Sequence, residues 1–329
     1  MRSSPTIQLT AMICSVLVAS TGLFACSSDS QCTVDTTSFD NSADTCLRFG
    51  VGTPGGLSAG EEVAAVAGLV GEQPSIVLAF SDFTAAPPIG GLDVVRGAGA
   101  DPIVTWEPWK YLGGDSYDRS AFTMDSIISG AHDDYLYRWA DELAAWGQPV
   151  YLRFAHEPNG TWYPWSPAGG TSPQTYVQAW RHVRNIFATK NVQNVRWIWA
   201  PNVVLAGEQL ADWYPGDDVV DVIGVDGYNW GTSIPDGKWT SPEDLFGESL
   251  DQIRDVAADK PILVTEVGSA EQGGSKPDWI KDLVAYLGGA ANVSGFVWFD
   301  YNKEADWRIE SSPGSAAAMT EALQKALNR

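Results

Sequence analysis

Basic residues are few in this chain. It carries 20 Lys and Arg against 41 Asp and Glu in 329 residues, a formal charge of −21. No basic cluster occurs anywhere, which argues against a nucleic-acid partner and against an anionic membrane surface. Such a balance suits a soluble secreted protein with an uncharged substrate. Cysteine is also sparse: there are four, with no Cys-x-x-Cys and no Cys/His cluster, so no metal centre is expected. No Gly-x-Gly-x-x-Gly or P-loop pattern follows the first strand-like run, which lowers a nucleotide-binding, doubly wound sheet. No cofactor is expected, and no segment past the N-terminus is apolar enough to span a bilayer.

Two things are abundant. Hydrophobic residues make up 44% of the chain, enough for a large core, and there are 15 Trp. An indole is a large, rigid, mostly apolar surface with one polar handle. It fills cores, and it also stacks on flat apolar ligand faces such as those of sugar rings.

The N-terminus reads as an export signal over 1–26. Arg2 supplies a short positive region, 7–24 is mostly apolar, and Leu23-Phe24-Ala25-Cys26 resembles a bacterial lipobox. Cys26 is then a candidate lipid anchor, and the expected location is secreted or at the cell surface. The Ser/Thr/Asp-rich stretch 27–45 reads as a tether. Cys32 and Cys46 can form a disulfide in an oxidising compartment.

From residue 46 to the end, strand-like and helix-like patterns alternate. Strands are expected at 47–52, 75–80, 102–106, 150–155, 195–200, 221–225, 262–265 and 295–299. Helices are expected at 61–70, 134–146, 173–189, 242–258, 277–287 and 315–327. Asp134 is placed to cap the second helix, and Ser172, Ser241 and Ser312 each precede a proline at a first helical turn. No clear helix follows the second or the fifth strand. The alternation predicts an α/β protein, a (β/α)8 TIM barrel forming one catalytic domain over 46–329, with an open doubly wound sheet as runner-up. A monomer is expected.

A barrel puts its chemistry at the C-terminal strand ends. Trp106, Glu107 and Trp109 follow the third strand, His156 and Glu157 the fourth, Asn202 the fifth, Asp226 and Tyr228 the sixth, and Asp300 to Arg308 the eighth. Glu266 ends the seventh. A carboxylate at the end of a buried strand is costly unless it is used. Two of them, Glu157 and Glu266, suggest the carboxylate pair of glycoside hydrolysis. Glu157 lies among His156, Trp162, Tyr163 and Trp165, an apolar setting that raises a carboxyl pKa and suits an acid. Glu266 is the nucleophile, with Arg308 as a possible cation to keep it ionised. The bland alternative for Glu157 is a structural pair with Arg153. By strand alternation Tyr151 and Arg153 share the direction of Glu157, and His156 points outward unless a bulge turns it. Asp226 and Tyr228 share a parity and are candidates to face the sugar.

The segment 153–165, RFAHEPNGTWYPW, resembles the acid/base segment of glycoside hydrolase family 26. The resemblance continues in 103–109 (IVTWEPW), 226–228 (DGY), 264–266 (VTE) and 302–312 (NKEADWRIESS) and covers nearly the whole mature chain. It implies a (β/α)8 barrel, retention by double displacement, Glu157 as acid/base and Glu266 as nucleophile. It makes His156 a site residue and implies substrate contacts from Trp162, Asp226, Tyr228, Trp307 and Arg308. The activity it most often implies is that of an endo-β-1,4-mannanase acting on mannan-type plant polysaccharide. Two positions depart from the mannanase pattern: Pro158 stands where Met is common, and Glu107 where many members have His. The form Trp-Glu-Pro-Trp is also similar to members that cut mixed-linkage β-1,3-1,4-glucan.

Overall fold

The computed structural model of the protein describes residues 46–113, 116–205 and 207–327. The expected export signal, the tether, Cys26 and Cys32 lie outside the described residues. Eight parallel strands close into a barrel: β1 (Arg48–Gly52), β2 (Ile76–Asp82), β3 (Asp101–Glu107), β4 (Val150–Phe154), β5 (Val195–Trp199), β6 (Val222–Asn229), β7 (Ile262–Ser269) and β8 (Val293–Phe299). Closure comes from β1 pairing with β8, Arg48 opposite Gly295. The open-sheet alternative is thereby excluded.

Among the described residues, eight α-helices lie between and after the strands: α1 (Gly60–Val70), α2 (Ile89–Gly97), α3 (Met124–Ile128), α4 (Asp133–Trp146), α5 (Pro173–Thr189), α6 (Pro242–Val256), α7 (Lys276–Gly289) and α8 (Pro313–Leu327). Ser172, Ser241 and Ser312 accept hydrogen bonds from backbone N–H groups three residues on, as their positions before proline suggest. Asp134 does not cap: α4 starts one residue earlier, after His132, without a side-chain cap bond. A helix, α2, does follow β2. Among the described residues, only the 3-10 turn Leu210–Trp213 follows β5 before β6 begins. An antiparallel hairpin, Lys110–Gly113 with Ser116–Asp118, is inserted after β3.

Strand alternation builds two apolar layers. Ile76, Leu78, Ile103, Tyr151, Ile198, Val222, Leu263 and Val297 fill the barrel interior. Their neighbours in sequence point outward into the helix layer, where Trp106, Trp139, Trp180 and Trp197 are fully buried. Much of the tryptophan is therefore core. At the N-terminal end of β3, Asp101 is buried between Arg48 and Arg96 and accepts charge-assisted hydrogen bonds from both. The opposite end of the barrel holds the site.

Candidate active site

Two strands deform where they deliver carboxylates. After β4, Ala155 and Glu157 both adopt left-handed backbone, at φ 46° and 49°. For residues with a Cβ this costs about 1–3 kcal/mol each and persists only where surrounding bonds impose it. Here the Glu157 N–H donates to the Ala200 carbonyl at 2.6 Å, tying the turn to the end of β5. The turn swings the Glu157 carboxyl across the barrel mouth. There it accepts from Asn202 Nδ2 at 2.7 Å and from Trp162 Nε1 at 2.6 Å. Asn202 is itself fixed by reciprocal bonds with Asn159, at 3.1 and 2.9 Å.

On β7 the register against β6 and β8 shifts around Thr265 and Glu266. A bulge of this kind re-aims side chains. Consecutive residues both reach the interior as a result: Thr265 Oγ1 donates to Asp226 Oδ1 at 2.5 Å, while Glu266 binds Arg153 and accepts from the Tyr228 hydroxyl at 2.6 Å. Asp226 and Glu266 sit in the longer β6 and β7 strands rather than in the loops beyond them.

Arg153 is the hub. It is completely buried, donates through Nη1 to Asp226 at 2.5 Å, through Nη2 to Glu266, and through Nε to Thr105 Oγ1 at 2.9 Å. Burial lowers its pKa, but the charges of Asp226 and Glu266 more than offset this, and its pKa rises above the ordinary guanidinium value. The pairing weighed from sequence, Arg153 with Glu157, is corrected: the arginine serves Glu266. Arg308 does not reach Glu266. It lies 38% exposed and is paired with Asp306 at 2.7 Å.

The two carboxyls facing the cleft thus differ. Glu157 is pushed up to about 7, first by burial and then by the negative charge of Glu266; the bonds from Asn202 and Trp162 and the charge of Arg153 oppose the rise. Trp162 therefore stabilises the ionised form, opposite to the role expected for an indole wall. Glu266 keeps a bonded cation and a phenol. A third carboxyl, Glu107, is pushed up to about 8 by burial, only partly offset by the Trp109 Nε1 bond at 3.2 Å and by Arg153. His156 is held neutral, first by burial and then by the positive charges of Arg153 and Lys303.

Glu107, Trp109, Glu157, Trp162, Tyr228, Glu266 and Trp307 line one cleft of about 1520 Å3 at the C-terminal mouth. This exceeds the roughly 300–1,000 Å3 of small-molecule sites and has room for several linked sugars. Five expected contacts are not on its wall. Trp106 points out of the barrel and stacks on Trp139 at 4.3 Å; on β3 it alternates with Thr105 and Glu107, which point in. Trp165 is buried behind Tyr163, stacked at 4.5 Å, and bonds the His156 carbonyl. Asp226 lies beneath Glu266 with no exposure, bound by Arg153 and Thr265. His156 is also beneath the surface, with Nε2 at 2.9 Å from the Tyr163 hydroxyl, so it orients a cleft residue instead of lining the cleft. Arg308 is likewise absent from the wall.

Arg153 was the main residue whose role was missed. Its parity with Glu157 was the available signal, since an inward arginine in a closed barrel needs carboxylate partners. Tyr163, Lys303, Tyr111 and Tyr117 also line the cleft without having been singled out for it. Among the described residues, no group of three or more His, Cys, Asp or Glu is arranged to hold a metal ion.

Comparison with known proteins agrees with this geometry. The family model described as Glycosyl hydrolase family 26 matches residues 90–318. Endoglucanase H of Acetivibrio thermocellus is 38% identical over 238 residues, covering 70% of this chain and 25% of that protein. Mannan endo-1,4-beta-mannosidase A and B of Caldalkalibacillus mannanilyticus is 31% identical over 180 residues, covering 51% of this chain and 32% of that protein. The chain thus spans about a quarter to a third of these curated relatives. The catalytic domain of a GH26 endo-beta-1,4-mannanase from Bacillus sp. JAMB-750 superposes with a TM-score of 0.65 at 19% identity, covering 86% of each chain. That likeness concerns the barrel fold.

Proposed function

The chain belongs to glycosyl hydrolase family 26, and from that premise we propose that it is a retaining endo-β-1,4-mannanase. Two buried carboxyls of unlike electrostatics facing one cleft carry the reading. Glu157, raised to about 7, is protonated below neutrality and gives its proton to the departing glycosidic oxygen. Glu266, held by Arg153 and Tyr228, attacks the anomeric carbon as that carbon–oxygen bond breaks, forming a glycosyl ester. Glu157, now ionised, takes a proton from water; the water oxygen attacks the anomeric carbon and the ester bond breaks. Configuration is retained through two inversions.

The substrate is an uncharged β-linked polysaccharide: mannan, galactomannan or glucomannan. Relatives named mannan endo-1,4-beta-mannosidase support this. A relative named Endoglucanase H, together with Glu107 in the cleft, keeps mixed-linkage β-glucan as the second reading. The test is product analysis on galactomannan and on barley mixed-linkage glucan, with Glu266→Ala as control. Manno-oligosaccharides from the first alone support the mannanase; release from barley glucan alone moves the specificity to glucan and keeps the machinery. Activity surviving in Glu266→Ala would remove Glu266 as nucleophile.

We also infer that the protein is exported, monomeric, and anchored through a lipid on Cys26. The lipobox-like segment supports the anchor. A Cys26→Ser protein that stays in the membrane fraction would refute it.

A further inference from the structure

The hairpin after β3 is not explained by the barrel. Every residue of its first strand is exposed, and a two-stranded hairpin is marginal by itself in water. It is nevertheless pinned. The Tyr111 N–H donates to Asp82 Oδ2 at 2.8 Å, and Phe83 N–H donates to the Trp109 carbonyl at 3.1 Å. Its aromatics continue a ladder that begins behind the catalytic loop. Trp165 packs on Trp109 at 5.0 Å, Trp109 stacks on Tyr117 at 3.7 Å and 19°, and Tyr117 meets Tyr111 at 5.6 Å.

Tyr111 ends this ladder with 52% of its surface exposed, beside Leu112 at 58%. Among the described residues, large apolar side chains are exposed at seven positions, and three of them, Phe80, Tyr111 and Trp162, line the cleft. Exposed apolar side chains gathered in one cleft and rimmed by polar groups mark a ligand surface, whereas singly scattered ones carry no such meaning. Arg119, at the foot of the hairpin, and Asp82, at its anchor, line the same cleft and offer polar groups along it.

We propose that Tyr111 forms an outer sugar-binding subsite, stacking on a pyranose ring of the β-linked chain whose scissile bond lies between Glu157 and Glu266. The proposal rests on the glycosidase reading above. A pyranose in such a chain presents a flat C–H face to the ring and equatorial hydroxyls to the rim. The tyrosine ladder supplies the first requirement and Arg119 and Asp82 the second. Continuity of this wall with the catalytic cleft selects the substrate chain itself as occupant. Tyr111 is two rings beyond Trp109, which bonds Glu107, so the subsite is reached only by chains longer than those that fill the centre.

The experiment compares wild type, Tyr111→Ala and Tyr111→Phe on β-1,4-mannotriose and mannohexaose, with the corresponding barley-glucan oligosaccharides in parallel. One aromatic contact corresponds to about 3–10-fold in kcat/KM. The ratio of kcat/KM for hexaose over triose should fall by that factor in Tyr111→Ala, mainly through KM, and Tyr111→Phe should restore it. An unchanged ratio in Tyr111→Ala, whatever its absolute activity, overturns the subsite and leaves the catalytic reading standing. A wild-type protein that cleaves none of these substrates overturns the catalytic reading and the subsite with it.

Discussion

Arg153, inside β4, donates a charge-assisted hydrogen bond to Glu266, which a bulge in β7 has turned inward to meet it. The same guanidinium holds Asp226 at 2.5 Å, so one fully buried cation serves two carboxylates. A buried pair of this kind is weak evidence for stability, because the desolvation of each charge is large. Its value here is positional. It holds the Glu266 carboxyl in place, while Glu157, buried and bound only by neutral donors, has its pKa pushed up to about 7.

Arg153→Met should therefore cost both stability and turnover. Asp226 and Glu266 would lose their bonded cation, and breaking a buried pair from one side costs about 3–5 kcal/mol. Without this anchor the Glu266 carboxyl is free to leave its place in the cleft, and misplacement of a reacting group costs up to about a hundredfold in kcat/KM. Thermal unfolding and kcat/KM measured well below the melting temperature read these separately. An unchanged kcat/KM would show that Arg153 does not position Glu266.

The basic limb should belong to Glu157. With its pKa at about 7, activity falls as pH rises through that value and the acid loses its proton. Trp162→Phe removes a 2.6 Å bond that favours the ionised form, so the limb should move to higher pH even as turnover falls. Glu157→Ala should spare the first step for substrates with good leaving groups and recover turnover with added azide. Equal loss on every substrate would argue against the acid assignment.

Glu107 makes a prediction about stability. Its folded pKa is about 8 against an ordinary value of 4.5, so between these values the folded state holds a proton that the unfolded state has released. Stability must then fall as pH rises from 4.5 through 8, the direction for a carboxyl whose folded pKa is raised. Glu107→Gln removes the titration. Its melting temperature should exceed wild type by more at pH 9 than at pH 4.5. A pH-independent difference would show that Glu107 is not held protonated.

Much of this was legible in the sequence because barrel strands are short apolar runs separated by capped helices. The weakest of these signals was α2, whose segment IGGLDVVRG is short and begins with two glycines among its first three residues. The strand-end rule located Glu157 and Glu266. Alternation along β3 sends Trp106 outward and Glu107 inward, so parity separates them where residue type does not. The turns at Ala155 and Glu157 and the bulge at Thr265 and Glu266 have no local sequence signal. Tertiary bonds impose them: the Ala200 carbonyl on the Glu157 N–H, and Arg153 and Asp226 on the two β7 side chains. Arg308 illustrates the converse, since Asp306 two residues earlier captures it locally.

Lys276 should tune catalysis from outside the cleft. It is the first residue of α7, fully buried, and its ammonium donates to the carbonyls of Arg308 at 2.8 Å and Trp307 at 3.1 Å and to Ser311 Oγ at 2.8 Å. These bonds fix the loop that sets the Trp307 ring 4.9 Å from Tyr228, whose hydroxyl binds Glu266. Lys276→Met would leave buried carbonyls short of donors, at about 1–3 kcal/mol in stability. With the Trp307 ring free to shift, Tyr228 loses its backing, and misplacement near a nucleophile costs up to about a hundredfold in rate. The expected result is a kcat/KM loss of about tenfold or more, measured well below the melting temperature, with faster amide exchange over residues 306–311. A variant that melts earlier yet keeps full kcat/KM would confine Lys276 to stability and break the chain from α7 through Trp307 to the nucleophile.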